Sequence, residues 1–193
     1  MPVKSTTKRD EQADATRIAL LAAARKLFAR RGYPDVSIDD IAQAARLTKG
    51  AFYHHFDDKQ QIFREVVEQI LKAILLRMSD AATPPSDPMG QLRAACHAYL
   101  DACTEDDVGR TVVLDSPAVL GWEAWCKLNR LYGLGFFTDR LGALRPGDSA
   151  VESTAQVLLG ALNTAGRVIA QADDRAAART QVGATIDRLI ASA

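Results

Sequence analysis

The sequence predicts an all-α fold, and three observations carry that prediction. No stretch alternates apolar and polar residues at the two-residue period of a strand. Long runs rich in Ala, Leu and Arg are punctuated by Gly and Pro. Residues 37–56, SIDDIAQAARLTKGAFYHHF, read as two short helical segments with a tight turn between them.

The elements follow in chain order. Residues 1–12 are polar and predict a flexible arm. A first helix is expected from about Ala13 to Arg31, with Ile18, Leu21, Leu27 and Phe28 along its apolar stripe and Gly32 as its stop. Ser37 is placed to cap a second helix. Asp39 and Asp40 lie in its first turn, where carboxylates meet the positive end of the helix dipole. Ile38, Ile41, Ala42 and Ala45 form its inner face, and Arg46 and Leu47 form the turn. Thr48 caps a third helix, on which Phe52 and Phe56 lie four apart and so share a side.

Asp58 caps a long fourth helix carrying Ile62, Phe63, Val66, Ile70, Ile74 and Leu75 and ending near Ser79. SDAATPPSDPMG interrupts it, because consecutive prolines cannot continue a helix. The seam between two parts is expected near here, with the fourth helix crossing from one to the other. The parts are drawn as a domain over residues 13–60 and a larger one over 61–193. The second part predicts a helix from Gln91 to about Thr104 and a short piece near Val108–Leu114. A long helix then starts with Ser116 as cap and Pro117 at its first position, and runs to about Leu144. After RPGD come two last helices, from about Ser149 to Gln171 and from Asp174 onward.

In the first of these two, Val151, Ala155, Leu158, Leu162, Ala165 and Ile169 step by four, three, four, three and four, a 3.5-residue period suited to side-by-side helix packing. Val182, Ile186 and Leu189 give a similar stripe in the last helix. The pattern fits either an internal core or pairing with a second copy of the chain.

At 193 residues, with 48% hydrophobic and 25% charged residues, the composition is globular. No apolar run approaches the roughly 20 residues of a membrane span, and the N-terminal residues lack the apolar centre of a secretion signal. A cytoplasmic location with no membrane partner is the expectation. The three cysteines, Cys96, Cys103 and Cys126, form no C-x-x-C pair and predict reduced thiols. Cys96 and Cys103 share a helix face as small hydrophobes, with a redox-sensing role as the alternative. No nucleophile–base pair, carboxylate dyad, metal-ligand spacing or phosphate loop appears, so neither an enzyme nor a cofactor is expected.

The net charge of zero conceals a division. Residues 1–60 hold eleven Lys and Arg against eight Asp and Glu, a net of +3, and residues 61–193 hold thirteen against sixteen, a net of −3. Positive charge therefore accompanies residues 37–56.

That segment has the layout of a helix-turn-helix. Lys49 and Tyr53 lie four apart on the third helix, as do Gly50 and His54, all opposite Phe52 and Phe56. Lys49 brings charge for a phosphate or a guanine edge, and Gly50 lets the backbone come close to a duplex. Tyr53 and His54 can donate to phosphate oxygens, as can Lys59 and the Ser37 hydroxyl. Thr48 leaves helix-end N–H groups for a phosphate.

The runs LLAAARKLFARRGY, SIDDIAQAARLTKGAFYHHF and DDKQQIF resemble the DNA-binding domain of TetR/AcrR-type transcriptional regulators over about Ala15 to Phe63. The resemblance implies contact with a double-stranded DNA operator through Thr48, Lys49, Gly50, Tyr53, His54 and Lys59. It implies a homodimer paired through the last two helices, and a nucleoid-associated repressor released by a small effector. Arg46 stands where such regulators often have glycine, and a left-handed backbone there would cost about 1 kcal/mol. A phosphate contact by Arg46 could offset that cost. For the effector pocket the candidates are Tyr99, Leu114, Trp122, Trp125, Phe136, Phe137 and Asn163. With no basic cluster in the sequence, an aromatic and largely neutral effector is expected.

Overall fold

The structure, a computed structural model, describes residues 8–83 and 87–192, and every regular element among them is helical. The chain divides into two compact units, residues 1–66 and 67–193. The division falls inside the fourth helix.

The N-terminal unit contains α1 (Lys8–Arg31), α2 (Ile38–Ala44), α3 (Lys49–Tyr53) and the start of α4 (Lys59–Ala81). Helix α1 begins at Lys8, so residues 8–12 of the expected arm are helical. The rest of that arm, residues 1–7, lies outside the described residues. Gly32 ends α1 at a φ of 82°, a left-handed value that glycine adopts without strain, and its N–H donates to the Phe28 carbonyl at 2.9 Å. Aromatic rings fill the centre. Phe28 meets Phe63 edge-on with ring centroids 5.1 Å apart, and Tyr33 meets Phe63 at 4.9 Å. Phe28, Phe52, Phe56 and Phe63 are buried together with Leu20, Ile41 and Ile62. Edge-to-face pairs of this kind contribute about 0.5–1.5 kcal/mol beyond the area they bury. Asp58 caps α4 as expected, accepting from the Gln61 N–H at 2.7 Å.

In the C-terminal unit, α5 (Pro88–Ala102) starts three residues before the expected Gln91. Asp87 accepts from the Gly90 N–H at 2.7 Å, and Pro88 takes a first-turn position that needs no N–H. The short piece expected near Val108–Leu114 is a π-helix, π1 (Asp107–Asp115). The expected single helix from Ser116 to Leu144 does not form. It is divided into α6 (Ser116–Leu120), α7 (Trp122–Asn129), a π segment π2 (Arg130–Leu134) and α8 (Gly135–Leu144). The break lies at Gly121, whose φ of 82° and ψ of 153° no helix can contain. Ser116 is not a cap. Its own backbone is helical, and its hydroxyl donates to the Thr111 carbonyl at 2.7 Å.

Helix α9 (Val151–Gln171) is the axis of this unit, with α5, α8, π1 and α10 (Arg175–Ser192) packed on it. Its buried side resolves the 3.5-residue seam. Ala155, Leu162 and Ile169 are fully buried within the single chain, with Leu158 and Ala165 nearly so, while Val151 is half-buried. For Ala155, Leu158, Leu162, Ala165 and Ile169 the assignment to a dimer interface is therefore corrected: their apolar surface is already consumed by internal neighbours. On α10, Ile186 is buried too, Val182 is half-buried, and Leu189 is exposed. Ion pairs clip α10 in place, Arg179 to Asp101 at 2.6 Å, Arg175 to Asp106 at 2.7 Å and Asp187 to Arg93 at 3.3 Å, and a hydrogen bond joins Asp187 to His97 at 2.9 Å. Exposed pairs of this type contribute about 0–1 kcal/mol each, so they orient α10 more than they stabilise it.

Close approach at Gly166 gives a test of this packing. A Cβ there would lie 2.8 Å from Cys103 Sγ and 3.3 Å from Tyr99 Oη. Gly166→Ala is expected to destabilise the protein by about 1–3 kcal/mol in denaturant unfolding. Adding Cys103→Ala should recover a measurable part of that loss, and an additive double mutant would contradict the packing described.

Candidate nucleic-acid interface and ligand cavity

Helix α2 is fixed at both ends. At its start the backbone of Ser37 is extended (φ −96°, ψ 163°), and its hydroxyl accepts the Asp40 N–H at 3.0 Å. The Asp40 carboxylate in turn accepts the Ser37 N–H at 2.8 Å and the Ser37 hydroxyl at 2.6 Å, which closes a capping box. Arg31, at the end of α1, lies 3.3 Å from the other Asp40 oxygen. These hydrogen bonds, those from Ser37 first, hold the Asp40 carboxyl down at about 2. The hydroxyl proposed for a phosphate thus already donates to Asp40.

At the other end, the Leu47 N–H donates to the Ala42 carbonyl at 2.8 Å and the Arg46 N–H to the Gln43 carbonyl at 2.9 Å. This is the Schellman arrangement, which requires a left-handed residue just past the cap. That residue is Arg46, with a φ of 58°. It is the one non-glycine residue with positive φ among the described residues. Its side chain is exposed.

The turn delivers the chain to Thr48, whose side chain accepts the Ala51 N–H at 3.1 Å and so caps α3. Helix α3 ends at Tyr53, short of the expected reach to Phe56. Phe52 on it and Phe56 just beyond it are fully buried, while Lys49, Gly50, Tyr53 and the C-cap residue His54 are exposed. The Lys49 ammonium lies 2.9 Å from Asp39, a hydrogen bond that raises its pKa. At Gly50 a Cβ would meet only Thr48 Oγ1, at an ordinary 3.7 Å, so the fold itself does not demand glycine there. The Tyr53 ring stands edge-on to Phe52 at 5.5 Å and is 51% exposed.

Lys59 sits differently from its neighbours. Its ammonium donates to the Tyr33 carbonyl at 2.9 Å and the Val36 carbonyl at 2.8 Å, and lies 4.1 Å from the centroid of the Tyr33 ring. Burial lowers its pKa. Two of its three donors therefore serve the fold, tying the start of α4 to the loop before α2, and one remains for any outside partner.

The C-terminal unit holds a cavity of about 500 Å³. Of the residues proposed for it, Leu114, Trp122, Trp125 and Asn163 line it. Tyr99 lies one hydrogen bond behind, its hydroxyl donating to Asn163 Oδ1 at 2.9 Å. Phe136 and Phe137 do not line it; they meet edge-on at 5.4 Å, and Phe137 belongs to the core of α8. Residues the sequence did not point to include Asn129, Arg130 and Arg167, which are also in the wall. The two arginines come from π2 and α9, so the absence of a basic run in the sequence concealed them. Asn163 Nδ2 donates to Asn129 Oδ1 at 2.9 Å, and Asn129 Nδ2 to the Trp125 carbonyl at 3.0 Å.

The cysteines are poor redox sensors in this setting. Cys96 and Cys103 are buried, and loss of solvation pushes each thiol up to about 12, so neither holds a reactive thiolate at neutral pH. Cys126 is half-buried in the cavity wall.

The left-handed turn allows one quantitative expectation. Arg46→Gly removes a strain of about 1–2 kcal/mol and adds unfolded-state freedom that offsets part of it. The variant should gain up to about 1 kcal/mol in denaturant unfolding. A loss of stability would show that Arg46 makes a compensating contact within the fold.

Comparison with known proteins agrees with this geometry. Residues 20–66 match the family described as bacterial regulatory proteins, tetR family, and residues 89–193 match the tetracyclin repressor-like C-terminal domain. The solved structure of a TetR-family transcriptional regulator from Pectobacterium atrosepticum superposes with a TM-score of 0.82 at 33% identity, covering 95% of each chain. The transposon Tn10 TetC protein of Escherichia coli is 29% identical over 142 residues, 74% of this chain and 70% of TetC. The transcriptional repressor KstR2 of Mycobacterium tuberculosis is 30% identical over 91 residues, 47% of this chain and 46% of KstR2, so the match spans about half of that relative. With both the capped two-helix motif and the C-terminal domain accounted for, the chain belongs to the TetR family of DNA-binding transcriptional regulators.

Proposed function

We propose that this regulator is a dimeric repressor that binds a palindromic double-stranded operator and leaves it when a small-molecule effector enters the C-terminal cavity. The observation that carries the DNA half is the split of α3. Phe52 on it and Phe56 just past its end are buried, while Lys49, Gly50, Tyr53 and His54 are exposed, with Thr48 at its capped start. Arg46 and the remaining donor of Lys59 flank that face and are proposed as phosphate contacts, whereas Ser37 can donate to a phosphate only by giving up its hydroxyl bond to Asp40. Gly50 supports the reading most directly, since the packing tolerates a side chain there and a close duplex would not. The repressor sign is taken from relatives named repressors, KstR2 and DhaR among them, although FasR of Mycolicibacterium smegmatis is named an activator. The site of action would be the nucleoid, in the cytoplasm.

A dimer is proposed through the outer side of α9. Val157, Ala161, Thr164 and Val168 repeat the four–three–four spacing on the side opposite the buried seam. Val157 is 74% exposed and Val168 48%, and Leu189 of α10 is exposed as well. Two small residues between two exposed valines suit close helix pairing. A two-fold pair would set its two recognition helices about one turn of DNA apart, roughly 34–36 Å, for successive major grooves. Release by an effector requires that it bind the two states of the regulator with different affinity.

Two measurements test this reading. On a duplex selected from a random pool, Lys49→Ala and Tyr53→Ala should each weaken binding about tenfold in fluorescence anisotropy, the equivalent of about 1.4 kcal/mol, with helicity unchanged. Undiminished affinity in both variants would remove the DNA-facing assignment. Val157→Arg, an exposed position, should shift the chain from dimer to monomer in sedimentation velocity; an unaltered dimer would place the interface elsewhere.

A further inference from the structure

The cavity of the C-terminal unit carries a charge imbalance. Arg130 and Arg167 line it, and no aspartate or glutamate does. Neither guanidinium has a hydrogen-bond or ion-pair partner among the described residues. Both side chains are exposed at the edge of the cavity, where each guanidinium can turn toward an anion held inside it.

The polar wall next to them favours an acceptor. The Trp125 carbonyl can only accept, so Asn129 must turn its amide NH2 toward it. Asn129 Oδ1 then accepts from Asn163, whose own Oδ1 accepts from Tyr99. The relay runs one way, and each amide keeps one N–H beyond it. Gln156 and Thr164 add two further polar side chains, and most of the remainder is apolar or aromatic, with Leu114, Pro117 and Leu159 beside both tryptophans of the chain. Trp122 is 73% exposed although it borders the cavity, which leaves an indole face free to stack.

We propose that the cavity takes a small aromatic carboxylate, its anionic group paired with Arg130 and Arg167 and its ring against Trp122 and Trp125. The planar guanidinium fork matches a carboxylate in two parallel hydrogen bonds. A phosphate would bring a second charge and a third hydrated oxygen into a mainly apolar wall, at a higher desolvation cost. A cavity of about 500 Å³ falls in the usual range for small-molecule sites. This assignment rests on the effector reading above and replaces the neutral ligand expected from the sequence.

Because the only two tryptophans both line the cavity, intrinsic fluorescence reads it directly. The full-length protein is titrated with cinnamate, cinnamamide and phenyl phosphate, with calorimetry as a second readout. Cinnamate should bind at least tenfold more tightly than either of the others. Arg130→Gln and Arg167→Gln should each weaken cinnamate at least fivefold and leave cinnamamide within twofold. Equal binding of cinnamate and cinnamamide, tighter binding of phenyl phosphate, no saturable response to cinnamate, or cinnamate affinity unmoved by both substitutions would overturn the assignment. Duplex binding measured without ligand is the separate check on the regulator. Its loss strikes the DNA reading, whereas the ligand comparison strikes only the charge assigned to the effector.

Discussion

A five-residue helix cannot hold its own shape in water, because helix nucleation costs more than one turn of hydrogen bonds returns. Helix α3 is such a helix, and the N-terminal unit is organised around holding it. Phe52 and Phe56 plant one side in an aromatic core that Phe28 and Phe63 complete. Thr48 closes the start, and the Schellman turn at Arg46 fixes the angle of entry. Lys59 ties the loop before α2 to the start of the helix that follows. Each device is modest in energy, and together they leave α3 one orientation. The donors on its outer side owe their fixed layout to that orientation rather than to contacts of their own.

The C-terminal unit solves a different problem. Its axis, α9, is covered on one side by α5, α8, α10 and π1, and that coverage brings residues from distant helices into one cavity wall. The wall is built where the helical register is irregular. Asn129 and Arg130 stand at the junction of α7 with π2, and Gly121 breaks the chain just before Trp122. π segments of this sort recur at functional sites, since a widened turn re-aims side chains that a regular helix would point elsewhere.

Much of the N-terminal unit was legible in the sequence because its signals are local. Ser37, Thr48 and Asp58 are caps whose partners lie three residues away, and Phe52 and Phe56, four apart in the chain, pack their rings 5.5 Å apart even though α3 stops at Tyr53. The lost elements lacked such signals or had them overridden. Asp87 before Pro88 was a readable cap and first-turn pair that the Gln91 start passed over. Ser116 before Pro117 looked identical, yet its hydroxyl turned back to Thr111 because the preceding π segment was already helical. The α9 seam had the right period, but periodicity names a face and not its neighbour, and the neighbour is the chain's own core. The sequence offered Lys59 as a phosphate donor, and only the fold reveals the two carbonyls that occupy it. Arg130 and Arg167 converge only through tertiary packing, which no local pattern encodes.

Burial of Cys96 and Cys103 has a practical consequence. With their thiols ionising only near pH 12, a maleimide at neutral pH finds neither as a thiolate and meets Cys126 in preference. The chain thus carries a single chemical address, in the wall of the cavity. A nitroxide or fluorophore attached there would follow the ligand-binding region in the native sequence, without removal of any cysteine.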